Sequence, residues 1–207
     1  IIEDESEDQK FEAEEEVASG AEPEKTLFQQ LFGKETTEVK NNILSETALP
    51  NNIVFLIDAS SSMEKERRMQ LLKSSMVDLL SILRAKDYLS IVIYSGNART
   101  ILQPTSGIKK EEIKTIIESI DADGSTQAVK GIDLAFNVAQ SSFIDGGNNQ
   151  IFLATDGDFD LGKHNASTRE QIVKNASLGI QLNTIGIKNK RWTRASLKEI
   201  SSLGKGS

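Results

Sequence analysis

Five consecutive apolar residues, Ile53-Val54-Phe55-Leu56-Ile57, stop at Asp58, and three hydroxyls follow at Ser60, Ser61 and Ser62. A short run of β-branched and aromatic residues without alternation predicts a strand covered on both faces of a sheet. Two further runs of this kind, 87–94 and 150–155, end at Ser95-Gly96-Asn97 and at Asp156-Gly157, and a fourth covers 180–187. Between them the period changes. Apolar residues at 69, 72, 76, 79, 80 and 83 share one helical face, and so do Val129, Ile132, Phe136 and Ala139. Helices are also predicted over 109–120, 168–177 and 193–203, the last with Gly204 as its stop. Arg99–Gln103, lying before Pro104 and Gly107, reads as an edge strand or hairpin arm. Gly146-Gly147 predicts a turn.

Strands alternating with helices predict an α/β fold, a mostly parallel sheet with helices on both faces. This domain is expected over 51–207, with Pro50 at its boundary. The chain stops where one more strand is expected, so a final strand is expected to be missing. Residues 26–50 read as a connecting segment, in which Thr26–Phe32 can form a short helix stopped by Gly33. Residues 1–25 read as an acidic, disordered tail or linker.

Charge separates these parts further. Residues 1–24 hold 11 acids and one Lys, a formal charge of -10, whereas the remainder holds 20 acids and 23 Lys or Arg, a charge of +3. The acidity belongs to the tail, and no basic surface of the kind that binds nucleic acid is indicated. The chain has no cysteine and one histidine, His164, which removes disulfides and argues against a zinc site. No apolar run reaches the roughly 20 residues needed to cross a bilayer. The chain begins at Ile1, which suggests a segment removed upstream, with an upstream anchor left open.

The chemistry gathers at predicted strand and loop ends. Asp58, Ser60 and Ser62 follow the first strand, Thr126 follows Gly124-Ser125, and Asp156 follows the third buried strand. In open α/β sheets such ends converge at the carboxyl edge. These donors are hard oxygens, two anionic and three neutral, which suits Mg²⁺ or Ca²⁺ and leaves a coordination position open. Taken singly, Asp58 or Ser60 could serve as a helix cap; all five positions together favour a metal.

This set resembles the metal-ion-dependent adhesion site of von Willebrand factor type A domains. That motif is Asp-x-Ser-x-Ser followed by a distant Thr and a distant Asp. Here the matches are Asp58-Ala59-Ser60-Ser61-Ser62, Thr126 and Asp156. Gly146-Gly147-Asn148-Asn149 and Ala154-Thr155-Asp156-Gly157-Asp158-Phe159 resemble the bacterial group named after calcium-activated chloride channels. The resemblance implies a Rossmann-like fold with one antiparallel edge strand. It implies a Mg²⁺ ion (alternatively Mn²⁺ or Ca²⁺) held by the two Ser, the Thr and the Asp residues, and a protein ligand whose Asp or Glu completes the shell. Ser61 departs from the Gly that bacterial members often carry.

The expected function is therefore a metal-dependent, non-enzymatic protein-binding module for adhesion or assembly. The alternatives are a purely structural metal, or metal-assisted phosphoester hydrolysis, which lacks an obvious base and a phosphate-cradling loop. A bacterial envelope location, periplasmic or membrane-anchored, is expected from the resemblance. Other features carry less. Asp156-Gly-Asp158-Phe-Asp160 starts like an EF-hand loop, but Leu161 and Ser167 stand where Gly and Glu are required. Asn165 and Asn175 head glycosylation sequons expected to be meaningless, Ser95 and Asn97 read as a turn at the rim, and Trp192 reads as packing under the last helix.

Overall fold

The computed structural model describes residues 48–124, 128–156, 166–187 and 191–207, with the side chains of 191–194 left out of the description. The expectations for 1–25, for most of 26–50, and for Thr126, Asp158, His164, Asn165 and the Trp192 side chain lie outside the described residues.

The strands are β1 (Asn51–Asp58), β2 (Tyr88–Tyr94), β3 (Ala98–Ser106), β4 (Asn148–Thr155) and β5 (Ile180–Gly186). The helices are α1 (Arg68–Leu80), α2 (Lys110–Glu118), α3 (Ala128–Ser141), α4 (Ala166–Ser177) and α5 (Arg191–Leu203), and a 3-10 segment at Ser61–Arg67 precedes α1. The sheet runs β3-β2-β1-β4-β5. β1 pairs in parallel with β2 and with β4, β4 pairs in parallel with β5, and β3 alone runs antiparallel, beside β2. The α/β reading with one antiparallel edge strand is thus borne out.

Successive β1 side chains point to opposite faces, which divides the core in two. Ile53, Phe55 and Ile57 pack with Met69, Leu72, Met76 and Leu79 of α1 and with Ile113 and Ile117 of α2. Val54 and Leu56 pack with Ile132, Ala135, Phe136 and Ala139 of α3, Ile172 of α4, and Leu197 and Ile200 of α5. β1 is therefore buried on both faces and flanked on both edges, which is why its run shows no alternation. α3 lies so close to the sheet that a Cβ on Gly131 would stand 3.0 Å from Tyr94 Cδ1 and 3.1 Å from Leu56 Cδ1.

Two details differ from the pattern reading. β3 continues through Pro104 to Ser106, with register shifts against β2 between Leu89 and Val92; an edge strand tolerates a residue without an N–H. α1 ends at Leu80, yet Ile82 and Leu83 remain buried in the turn that follows. At the end of the chain, Leu182 bridges Lys205 in parallel, and Thr184 N donates to Ser207 O at 2.8 Å.

At the amino edge of the sheet, Asp87 is buried. It accepts from Arg84 N at 2.8 Å, Arg84 Nη2 at 2.7 Å, and Asn51 N and Nδ2 at 2.9 Å. The same guanidinium donates to Ala48 O at 3.1 Å and Leu49 O at 2.6 Å, tying the entry to β1 against the turn before β2. Burial alone would raise the Asp87 pKa. The hydrogen bonds from Arg84 and Asn51 outweigh it, and the net shift is downward.

Candidate metal site at the carboxyl edge of the sheet

β1 is the strand at which the order reverses. The chain moves outward from β1 to β2 and β3, then crosses back to β4 on the other side. In open α/β sheets the crevice at such a switch point is where ligands bind. Asp58 closes β1, and Asp156 follows directly after β4. Parallel in-register pairing, with Ile57 opposite Ala154, brings the two acids to one edge.

The side chains converge from there. Asp58 is 1% exposed and Ser60 3% exposed. Asp58 Oδ1 accepts from Ser60 N at 2.9 Å, and its Oδ2 accepts from Thr155 Oγ1 at 2.8 Å. Ser60 Oγ and Ser62 Oγ lie 3.0 Å apart, and Ser62 Oγ donates to Asp156 Oδ1 at 3.1 Å. Burial pushes the Asp58 pKa up. Hydrogen bonds from Ser60 and Thr155 oppose the rise, and the nearby Asp156 charge adds to it. Anionic oxygens are thus held in a poorly solvated place, where a cation would be stabilising.

The loops are fastened to one another. Ala59 N donates to Tyr94 O at 2.9 Å, Asp123 N to Ala59 O at 2.8 Å, and Ser61 N to Gly124 O at 3.2 Å. Gly124 has φ +98°, and a Cβ there would stand 3.2 Å from Ser95 Oγ, so a side chain at this position would be strained and crowded. The loop leading to Thr126 is therefore pinned beside the Asp58–Ser62 loop at residues 123 and 124. Ser61 is absent from the non-glycine residues with positive φ, so its departure from Gly costs no backbone strain.

Of the sequence-derived set, Ser60, Ser62 and Asp156 form one continuous chain of oxygens, and Asp58 stands behind it through Ser60. Octahedral coordination at about 2.0–2.1 Å sets adjacent oxygens about 3 Å apart, so these separations suit a Mg²⁺-sized ion. Among the described residues no three Asp, Glu or His side chains gather closely enough to form a carboxylate or imidazole cage. A metal here would rest on hydroxyls as much as on acids.

Two participants escape pattern reading. Thr155, the last residue of β4, orients Asp58. Arg68, the first residue of α1, pairs through Nη1 with Asp156 Oδ2 and donates to Ser62 O at 3.3 Å. In the sequence Thr155 is one more residue of a buried strand, and Arg68 lies in a charged stretch, Glu64–Arg68, that carries no metal-site motif. Ser95 and Asn97 form the expected turn, with Ser95 N donating to Asn97 O at 3.1 Å. Asn175 is buried, and its side chain is engaged by Gln140 Nε2 at 2.6 Å and Gln171 O at 2.9 Å, which leaves no accessible amide for a glycan.

The von Willebrand factor type A domain model matches residues 52–206, and the chain belongs to this family. YfbK of Escherichia coli strain K12, described as an uncharacterized protein, is 39% identical over 181 residues, covering 84% of this chain and 32% of its own length. The chain thus spans about a third of that relative. Among solved structures, BatB from Bacteroides thetaiotaomicron superposes with a TM-score of 0.61 at 21% identity, over 75% of this chain and 87% of that one. An aerotolerance-related membrane protein from Bacteroides fragilis gives 0.60 at 22% identity, over 75% and 88%. At these identities the two structures establish likeness of fold.

Proposed function

We propose that this domain is a divalent-cation-dependent protein-binding module. In this reading Asp58, Ser60, Ser62 and Asp156, together with Thr126, hold a Mg²⁺ ion, with Mn²⁺ or Ca²⁺ as alternatives. The ion's open position takes the carboxylate of an Asp or Glu on a protein partner, and the domain performs no catalysis of its own. The observation that carries the reading is the run of oxygens Ser60 Oγ, Ser62 Oγ and Asp156 Oδ1, spaced 3.0 and 3.1 Å at the switch point of the sheet. Family membership supports it, since domains of this type commonly mediate protein–protein interactions.

A bacterial envelope setting, for adhesion or assembly, accords with the description of the Bacteroides fragilis neighbour as a membrane protein. No helix among the described residues is long and apolar enough to cross a membrane.

The test is capture of partners from the native source by immobilised domain, in Mg²⁺ and in EDTA, with Asp58→Ala alongside. Partners retained in Mg²⁺, released by EDTA and never captured by the variant are the expected result. Equal capture in EDTA would overturn the reading. If chelation lowers the melting temperature while capture persists, the ion is structural only. Mg²⁺-dependent turnover of a generic phosphoester, lost in Asp58→Ala, would make the domain a hydrolase.

A further inference from the structure

Arg68 sits where local rules disfavour a cation. It opens α1, at the positive end of the helix dipole, and that first turn contains no acid. The helix has no side-chain cap. The two residues before it are both left-handed non-glycines, Glu66 at φ 54°, ψ 26° and Arg67 at φ 58°, ψ 30°, a conformation that L side chains resist. The Arg68 side chain is 15% exposed, and its Nε is buried without a hydrogen-bond partner among the described residues.

These unfavourable features share one return, the contact made by the guanidinium. Nη1 binds Asp156 Oδ2 and Ser62 O, while Nη2 stands 3.4 Å from the exposed Glu66 carboxylate. Asp156 is 4% exposed at its side chain, so this is the better-buried of the two ion pairs. Several local violations serving one contact mark a functional position.

We propose that Arg68 is the site's built-in counter-cation, competing with the divalent ion for Asp156, so that metal entry and release of the Arg68 guanidinium are one coupled step. The inference rests on the metal-binding reading above and adds its regulation. With Arg68 docked, Asp156 is neutralised and the loop from Ser60 to Arg68 is held in its left-handed turn. An entering ion takes over the Asp156 charge, the guanidinium leaves, and Glu66 and Arg67 relax. The apparent metal affinity is lowered by the fraction of molecules in which Arg68 is docked. The domain is thus set to load at a higher ion concentration than its oxygen ligands alone would require.

Isothermal titration of Mg²⁺ alone into the full 207-residue chain tests this, after EDTA treatment and with far-UV circular dichroism to verify folding. Arg68→Gln keeps a polar, hydrogen-bonding side chain but shortens it and removes its charge, and it should bind Mg²⁺ at least about tenfold more tightly. Arg67→Gly separates the coupled step from simple charge removal. Losing a positive charge near the site would tighten binding, whereas glycine favours the left-handed turn and with it the docked state, so binding should weaken several-fold. Unchanged or weaker binding by Arg68→Gln, or equal or tighter binding by Arg67→Gly, overturns the proposal while leaving the metal site standing. Absence of Mg²⁺ binding in all three folded proteins overturns the metal reading and this inference with it.

Discussion

Thr155 Oγ1 donates to Asp58 Oδ2 at 2.8 Å, linking the ends of two adjacent parallel strands through a carboxylate that is almost wholly buried. The contact fixes the rotamer of Asp58 and leaves its Oδ1 to the Ser60 backbone. A hydrogen bond to a buried charged group is worth about 1.5–3 kcal/mol. Thr155→Val keeps the shape and removes the donor. It should lower stability by about that amount in urea denaturation and weaken Mg²⁺ binding in the same preparation. A variant matching the wild type in both measurements would show that Asp58 is oriented by other groups.

Ion binding to the folded state alone must appear as stability. At a Mg²⁺ concentration about 100 times Kd, the wild type should gain about 2.7 kcal/mol over its EDTA form. Asp58→Ala should gain nothing, because the carboxylate behind the Ser60–Ser62 hydroxyls is gone. Chemical denaturation with and without Mg²⁺ reads both numbers, and an equal gain in the variant would place the ion elsewhere.

The amino edge of the sheet should govern acid sensitivity. The Asp87 pKa is depressed in the folded protein, since hydrogen bonds from Arg84 and Asn51 overcome the burial that would raise it. A depressed carboxyl pKa contributes stability in full above its unfolded value of about 3.9, and that contribution is lost as the pH falls toward the folded value. The wild type should therefore lose stability below about pH 4 through this group. Asp87→Asn should be less stable at neutral pH, with a flatter acid limb. Asp87→Ala, which leaves the Arg84 guanidinium buried without its acid, should cost about 3–5 kcal/mol. Urea midpoints measured between pH 3 and pH 7 would decide, and identical acid limbs in wild type and Asp87→Asn would contradict the assignment.

Gly131 sets the distance between α3 and the sheet. A Cβ there meets Tyr94 and Leu56 at 3.0–3.1 Å, both of them fully buried. Neither neighbour can withdraw, since both lie in strands packed on their far side. Gly131→Val should cost about 1–3 kcal/mol through overpacking, despite the gain in removing a glycine from a helix. Thermal unfolding would show it, and a variant as stable as the wild type would mean that α3 can retreat freely.

Much of this architecture is legible in residue order because its causes are local. Unbroken apolar runs ending in Asp58 and Asp156 announced buried strands, and period-3.6 spacing announced the helices packed over them. Packing overrides pattern at two places: Pro104 sits inside an edge strand that its ring cannot disrupt, and Leu83 is buried without being helical.

By itself, the chain order determined the strand–helix alternation and the short motif Asp58-x-Ser60-x-Ser62, which depend on neighbours a few positions apart, and the family, whose motif the distant Thr126 and Asp156 complete. Only tertiary structure decided how the acids that end β1 and β4 are held where they meet, with Thr155 Oγ1 donating to Asp58 Oδ2. It also decided that Arg68 would turn back onto Asp156. The physical reason is that a charge pair 88 positions apart in sequence has no local signature, and its strength depends on how far the packed sheet and helix exclude water from it.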